Sequence, residues 1–178
     1  MLLSGGIDSM ACVDFYRNMG RPVCGMFVNY GQPAAGHEAA ASSAVAHHFG
    51  VQLLTLSVGT MRAKAAGEIP ARNACLLCVA AMERPMTVLA LAIGIHAGTP
   101  YADCSPEFLA SAKHMLSLQA TPLDVLAPFV DWHKEDIIAY AKKRALPLSI
   151  TYSCEAGMLP TCGRCASCLD RRSLDARA

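Results

Sequence analysis

The sequence predicts an α/β fold: a mostly parallel, doubly wound sheet carrying a C-terminal four-cysteine zinc knuckle. Three observations support this. Short apolar, β-rich runs alternate with helix-forming stretches through residues 1–150. Helix-like stretches stop on Gly20 and Gly50, where a left-handed residue closes a helix at little steric cost. After Cys154 the periodicity lapses and cysteine, glycine and proline take over. The expected division is an α/β domain over 1–150 and a zinc-binding segment over 151–178 packed on it.

The elements follow in order. Residues 1–3 read as the tail of a first strand. "MACVDFYRNM", 10–19, reads as a helix closed by Gly20. "PVCGMFVNY", 22–30, suits a buried strand. "HEAAASSAVAHHFG", 37–50, is an alanine-rich helix, with His47 and His48 at the surface of its C-terminal end. "VQLLTLSV", 51–58, is a strand, and 59–73 reads as a loop with a short helical piece. "ACLLCVAAMER" is a helix and "TVLALAIGIHA", 87–97, a strand. "PEFLASAKHMLSLQ" is a helix with Pro106 in its first turn, and "LDVLAPF", 123–129, a strand. "HKEDIIAYAKKRAL" is an amphipathic helix with Ile137, Ile138, Tyr140, Ala141 and Leu146 on one face, stopped by Pro147.

Composition narrows the function classes. The 178 residues are 53% hydrophobic and 16% charged, which suits a chain with a large core and no need of a disulfide scaffold. A net charge of +1 lacks the basic excess of a nucleic-acid-binding domain, so no nucleic-acid partner is expected. The longest apolar run, "TVLALAIGI", is broken by Gly94 and is far short of the ~20 residues of a membrane span. Nine cysteines, an odd number, with no signal-peptide pattern before the opening loop, point to a reducing, cytoplasmic setting.

The opening string "SGGIDS" joins a strand to a helix. Glycines allow close backbone approach, and a helix start offers unpaired N–H groups and partial positive charge, so phosphate is a natural guest. Ser4 and Ser9 add hydroxyls. Asp8 beside a polyphosphate implies a cation between them, expected to be Mg2+. An ordinary strand-to-helix turn, capped by Asp8 or Ser9, is the plainer alternative. The complete string resembles the SGGxDS loop of the PP-loop ATP pyrophosphatases, which activate substrates by adenylation. In open α/β sheets ligands gather at the carboxyl ends of the strands, which sets this loop, the turn at 29–32 and the segment 94–103 on one rim.

At the other end, Cys154, Cys162, Cys165 and Cys168 form C-x7-C-x2-C-x2-C. Thiolates at this spacing on a tight turn can share one ion, and four sulfurs suit a closed structural zinc site; an iron–sulfur cluster is the rival. Cys12, Cys24 and Cys104 need no special role, and Cys75 and Cys78 read as packing residues on a helix.

Both ends together resemble the 7-cyano-7-deazaguanine (preQ0) synthase family within the PP-loop superfamily. "NYGQ", "PARN", "YADCSPEF" and "YSCEAGMLPTCGRCASCLDR" are similar to that family's signatures, so the likeness runs from Leu2 to about Arg171. The resemblance implies a PP-loop, adenine nucleotide alpha hydrolase-like domain over 1–150. It implies a cytoplasmic ligase of queuosine biosynthesis that uses ATP and ammonia to turn 7-carboxy-7-deazaguanine into the nitrile through an adenylate and an amide, working as a homodimer. Ser4, Gly5, Gly6, Asp8 and Ser9 match the pyrophosphate loop, with Arg72 and Asn73 completing the nucleotide site. Lys134 in "WHKED" matches a lysine near the reacting phosphate, and Asp8 and Arg171 join it as catalytic residues. Gln32, His96, Asp103 and Arg171 are the expected substrate contacts, Asp103 accepting from the guanine-like edge and Arg171 holding the carboxylate.

The chain also departs from the family pattern. It has alanine where PGRN has glycine, Gly-Thr-Pro before Tyr101, and shortened stretches before "PARN" and before "DVLAPF". Three other outcomes stay open: a related amide synthase using another amine or stopping at the amide, a PP-loop tRNA-modifying enzyme, and a non-catalytic nucleotide-sensing zinc module.

Overall fold

The structure is a computed structural model and describes residues 1–59 and 69–175; most of the loop expected at 59–73 lies outside them. Its helices are α1 (Ile7–Asn18), α2 (Ala35–Phe49), α3 (Arg72–Glu83), α4 (Pro106–Ser117), α5 (Lys134–Lys143) and α6 (Ala166–Asp175), and its strands β1 (Gly25–Asn29), β2 (Leu53–Ser57), β3 (Ala90–Ala92) and β4 (Asp124–Leu126).

β1 pairs with β2 and β3 with β4, both in parallel. The first three residues join the two pairs. Leu3 N–H donates to Met26 O and Met26 N–H to Met1 O, each at 2.8 Å, while Leu2 N–H donates to Ala92 O at 2.9 Å. The lateral order is therefore β2, β1, the N-terminal segment, β3, β4. Chain order reverses direction across that segment, which is the switch point where sheets of this type open a ligand crevice.

Leu2 and Leu3 show the period of two that a strand imposes. Leu3 enters the cluster of Met10, Val13, Val45, Phe129, Ile137 and Ala141, whereas Leu2 enters that of Met26, Leu77, Leu91, Leu116 and Val125. Helices thus cover both faces. α5 buries Ile137 and Ala141 completely, as its pattern predicts. It is also tied to α1 by charge: Asp14 Oδ2 accepts from Tyr140 Oη at 2.6 Å and from Arg144 Nε at 2.8 Å.

Three expectations need correction. The strand expected over 87–97 shrinks to Ala90–Ala92. Gly94 leaves the sheet to pack on the start of α1, where an added Cβ would stand 3.1 Å from the Asp8 carbonyl carbon. The strand expected over 123–129 ends at Leu126 because Ala127 and Phe129 accept turn hydrogen bonds from Val130 and Trp132. The tail is not wholly irregular either, since α6 begins directly after Cys165 and carries Cys168.

Candidate active site

The 4–9 loop lies at the switch point. Gly5 has φ +79°, and a Cβ there would fall 2.7 Å from both the Ala41 Cβ and the Ser42 nitrogen, so only glycine lets the loop lie against α2. Gly6 has room: its nearest neighbours would be at 3.6 and 3.8 Å. Ser9 Oγ donates to Gly6 O at 2.9 Å and Ser4 Oγ lies 3.3 Å from Ser9 Oγ. The first turn of α1 leaves its amide donors without helical partners, directed at whatever occupies the loop. A cavity of about 320 Å³ opens there, lined among others by Ser4, Gly6, Asp8, Ser9, Gly94 and Lys134.

Lys134 starts α5 and brings its ammonium to Asp8, with Nζ 2.6 Å from Oδ1 and 2.8 Å from Oδ2. His96 stands on the other side, its Nε2 4.0 Å from Asp8 Oδ2. His96 Nδ1 is 2.7 Å from Ala97 O. A carbonyl only accepts, so Nδ1 carries the proton and Nε2 presents its lone pair when the ring is neutral.

The other expected residues fall into two groups. Arg72, Asn73, Gln32, His96 and Arg171 line the cavity, whereas Asp103 is not among its lining residues. Asp103 sits at the start of α3: its Oδ2 accepts from Asn73 N–H at 3.1 Å and its carbonyl accepts from Asn73 Nδ2 at 2.9 Å. Arg171 is held by the backbone, donating to Leu148 O at 2.7 Å and to Thr151 O at 3.1 Å, and to Thr151 Oγ1 at 2.8 Å. Gln32 is buried, and its amide is engaged on both sides: Oε1 accepts from Tyr30 N–H at 2.9 Å and Nε2 donates to Glu38 Oε2 at 2.7 Å.

Glu38 was not singled out by the sequence. It stands in the first turn of α2, where an acidic residue is ordinarily explained by the helix dipole. Burial pushes its carboxyl above the usual range against the opposing pull of Gln32 and Arg72. The signal in the sequence was its position six residues after Gln32 in "GQPAAGHE".

The four C-terminal cysteines converge, with all Sγ atoms within 4.8 Å of one another. Cys162 and Cys168 Sγ are 3.8 Å apart. A tetrahedral ion with bonds of about 2.3 Å sets its sulfurs ~3.8 Å apart, so the thiols fit one zinc ion. Burial opposes ionisation of Cys154, yet the amides of Cys162, Met158 and Ala156 bring its thiol down to about 6. The knuckle also braces the loop. Tyr152 N–H donates to Gly5 O at 3.0 Å. Gly157, at φ +67°, lies so close to the Pro33 carbonyl that a side chain would collide with it.

A family model described as "Queuosine biosynthesis protein QueC" matches residues 1–68 and 63–174. The chain is 31% identical to the 7-cyano-7-deazaguanine synthase of Aquifex aeolicus (strain VF5), covering 96% of this chain and 93% of that protein. It is 30% identical to the protein of the same description from Azoarcus sp. (strain BH72), over 97% and 89%. With that of Sulfurihydrogenibium sp. (strain YO3AOP1) it shares 28% identity over 96% and 90%.

Proposed function

The chain belongs to the QueC family of queuosine biosynthesis proteins, and on that premise we propose that it is the ATP-dependent synthase that makes 7-cyano-7-deazaguanine from 7-carboxy-7-deazaguanine and ammonia. The observation that carries this is the 4–9 loop at the sheet's switch point, with Lys134 drawn onto Asp8 beside it.

The chemistry asks for such a site. A carboxylate is a poor acyl donor because oxide would have to leave. Attack of the acid oxygen on the α-phosphorus of ATP releases pyrophosphate and leaves an acyl adenylate. Ammonia then displaces AMP and loses a proton, giving the amide. A second adenylation, on the amide oxygen, lets that oxygen depart with AMP while the nitrogen gives up its remaining protons, forming the nitrile. The loop of Ser4, Gly5, Gly6 and Ser9 holds the departing pyrophosphate, and Lys134 neutralises charge developing on the phosphoryl group. Arg72 and Asn73 shape the nucleotide side of the cavity, and His96 and Gln32 its substrate side. Arg171, rigidly seated, faces the acid.

Asp8 already binds a cationic group through both oxygens, which suits it to hold Mg2+ against the polyphosphate, where the ion would supply charge neutralisation. Zinc at the four cysteines has a structural part in this reading. The 1–150 and 151–178 divisions, a cytoplasmic setting and a homodimer belong to it as well. Among the described residues no helix is long and apolar enough to cross a membrane.

Incubation of the purified chain with the carboxy acid, ATP, Mg2+ and ammonium, followed by mass spectrometry, tests the assignment. The nitrile with AMP is expected. Amide as the final product would replace the synthase by an amide-forming ligase, and absence of AMP would end both.

A further inference from the structure

The substrate base requires a partner that the sequence assigned to Asp103. The structure commits that carboxylate to the start of α3 and leaves it off the cavity wall. Resting on the synthase reading, we propose that Glu38 is the specificity-determining residue that accepts from the two adjacent donors of the guanine-type edge, the ring N–H and the exocyclic amino group, and that Gln32 is its positioning residue.

Four observations lead there. First, Glu38 lines the same cavity as the 4–9 loop. Its distance from that loop is set by α2: Ser42 Oγ lies 2.8 Å from Leu3 O and 2.7 Å from Glu38 O, and Gly5 packs on Ala41 and Ser42. Glu38 is four residues before Ser42, so it stands about 6 Å along the helix axis from the turn that touches the loop. A bicyclic base whose carboxylate reaches the phosphate site would set its far edge in that direction.

Second, the carboxylate is held in place. Gln32 Nε2 donates to Glu38 Oε2 and lies 3.4 Å from Val28 O, while Gln32 Oε1 is fixed by the Tyr30 amide. Both ends of the Gln32 amide are thereby occupied, so Gln32 orients Glu38. Oε2 keeps a second lone-pair site, and among the described residues no hydrogen bond to Oε1 is present.

Third, burial raises the carboxyl's pKa, and two donors facing it would favour the charged form that burial opposes. Fourth, the walls suit a flat ring: Tyr30 and Tyr152 line the cavity, and Tyr152 is itself stacked on His37 with centroids 4.8 Å apart.

Chemistry separates this base from the adenine of ATP. Adenine presents one donor beside a ring-nitrogen acceptor, whose lone pair would face the carboxylate. A guanine-type edge presents two donors side by side, which is what an acceptor-only group matches.

The test uses the full chain and its Glu38→Gln and Glu38→Asp variants. Two readouts are taken: KM for the carboxy acid and for ATP, by AMP formation, and calorimetric affinity for 7-deazaguanine against the same base lacking the 2-amino group. We expect Glu38→Gln to raise KM for the acid about 10- to 100-fold, to leave KM for ATP unchanged and to abolish the preference for the amino-bearing base, with Glu38→Asp intermediate. An unaltered preference in Glu38→Gln, or a KM for ATP that rises in step, overturns the proposal. Should the wild-type chain bind and discriminate the bases through Glu38 yet form no AMP with the acid, the synthase reading fails and the recognition role stands. Loss of both turnover and base binding in the wild type removes both.

Discussion

Lys134 and Asp8, 126 residues apart in sequence, meet as an ion pair with Nζ 2.6 and 2.8 Å from the two carboxylate oxygens. Both side chains are largely covered, 20% and 26% exposed, and the pair sets a cation beside the 4–9 loop. Lys134→Ala should lower the rate of AMP formation about 10²- to 10³-fold while moving the melting temperature by only a few degrees. A variant that keeps half its rate would remove Lys134 from the chemistry.

The two loop glycines should separate. Gly5→Ala forces a Cβ to 2.7 Å from α2 backbone at a positive φ, and we expect a loss of roughly 1–3 kcal/mol in stability together with activity. Gly6→Ala meets only ordinary contacts, so its melting temperature should hold while KM for ATP rises. Denaturant melts and AMP assays on the pair decide it, and equal destabilisation would contradict the local geometry.

The first of these contrasts shows how unevenly the site was legible. "SGGIDS" announced a phosphate loop, but which glycine is sterically obligatory depends on α2, which arrives from thirty-odd residues away. The alternation of apolar runs and helices gave the order of strands and helices along the chain, whereas the switch point emerged only from the pairing of residues 1–3 between β1 and β3. It overstated 87–97 and 123–129 because buried apolar turns, such as the one around Phe129, look like strand in one dimension. The four cysteines were readable from spacing alone. Asp103 and Glu38 were not distinguishable: both are acids near motifs, and only packing shows that one bonds the first turn of α3 while the other lines the cavity.

Metal removal should couple to the loop. We expect one zinc per purified chain, lost in Cys154→Ser and in Cys168→Ser, with a lower melting temperature and weaker ATP binding, because Tyr152 and Gly157 transmit the knuckle's position to Gly5 and Pro33. Iron with the visible absorbance of a cluster would instead restore the iron–sulfur alternative.

Asp14 offers a pH signature. Burial works against its charge, but hydrogen bonds from Arg144 and Tyr140 prevail and hold its carboxyl below the ordinary value. Because the folded pKa is the lower one, the stabilisation is complete above the ordinary aspartate range, near 4, and is lost as pH falls through the folded value. Asp14→Asn should therefore lower the melting temperature at neutral pH, roughly 2–8 °C, and flatten the acid limb of the stability profile. An unchanged acid limb would show that other carboxylates govern it.

The bond from the Tyr152 amide to the Gly5 carbonyl has a consequence for synthesis on the ribosome. The 4–9 loop emerges well before its brace, which lies some 150 residues further along the chain. An unfinished polypeptide should thus be unable to consume ATP: stalled nascent chains ending before residue 150 should show no nucleotide turnover, and release of the finished product should switch it on.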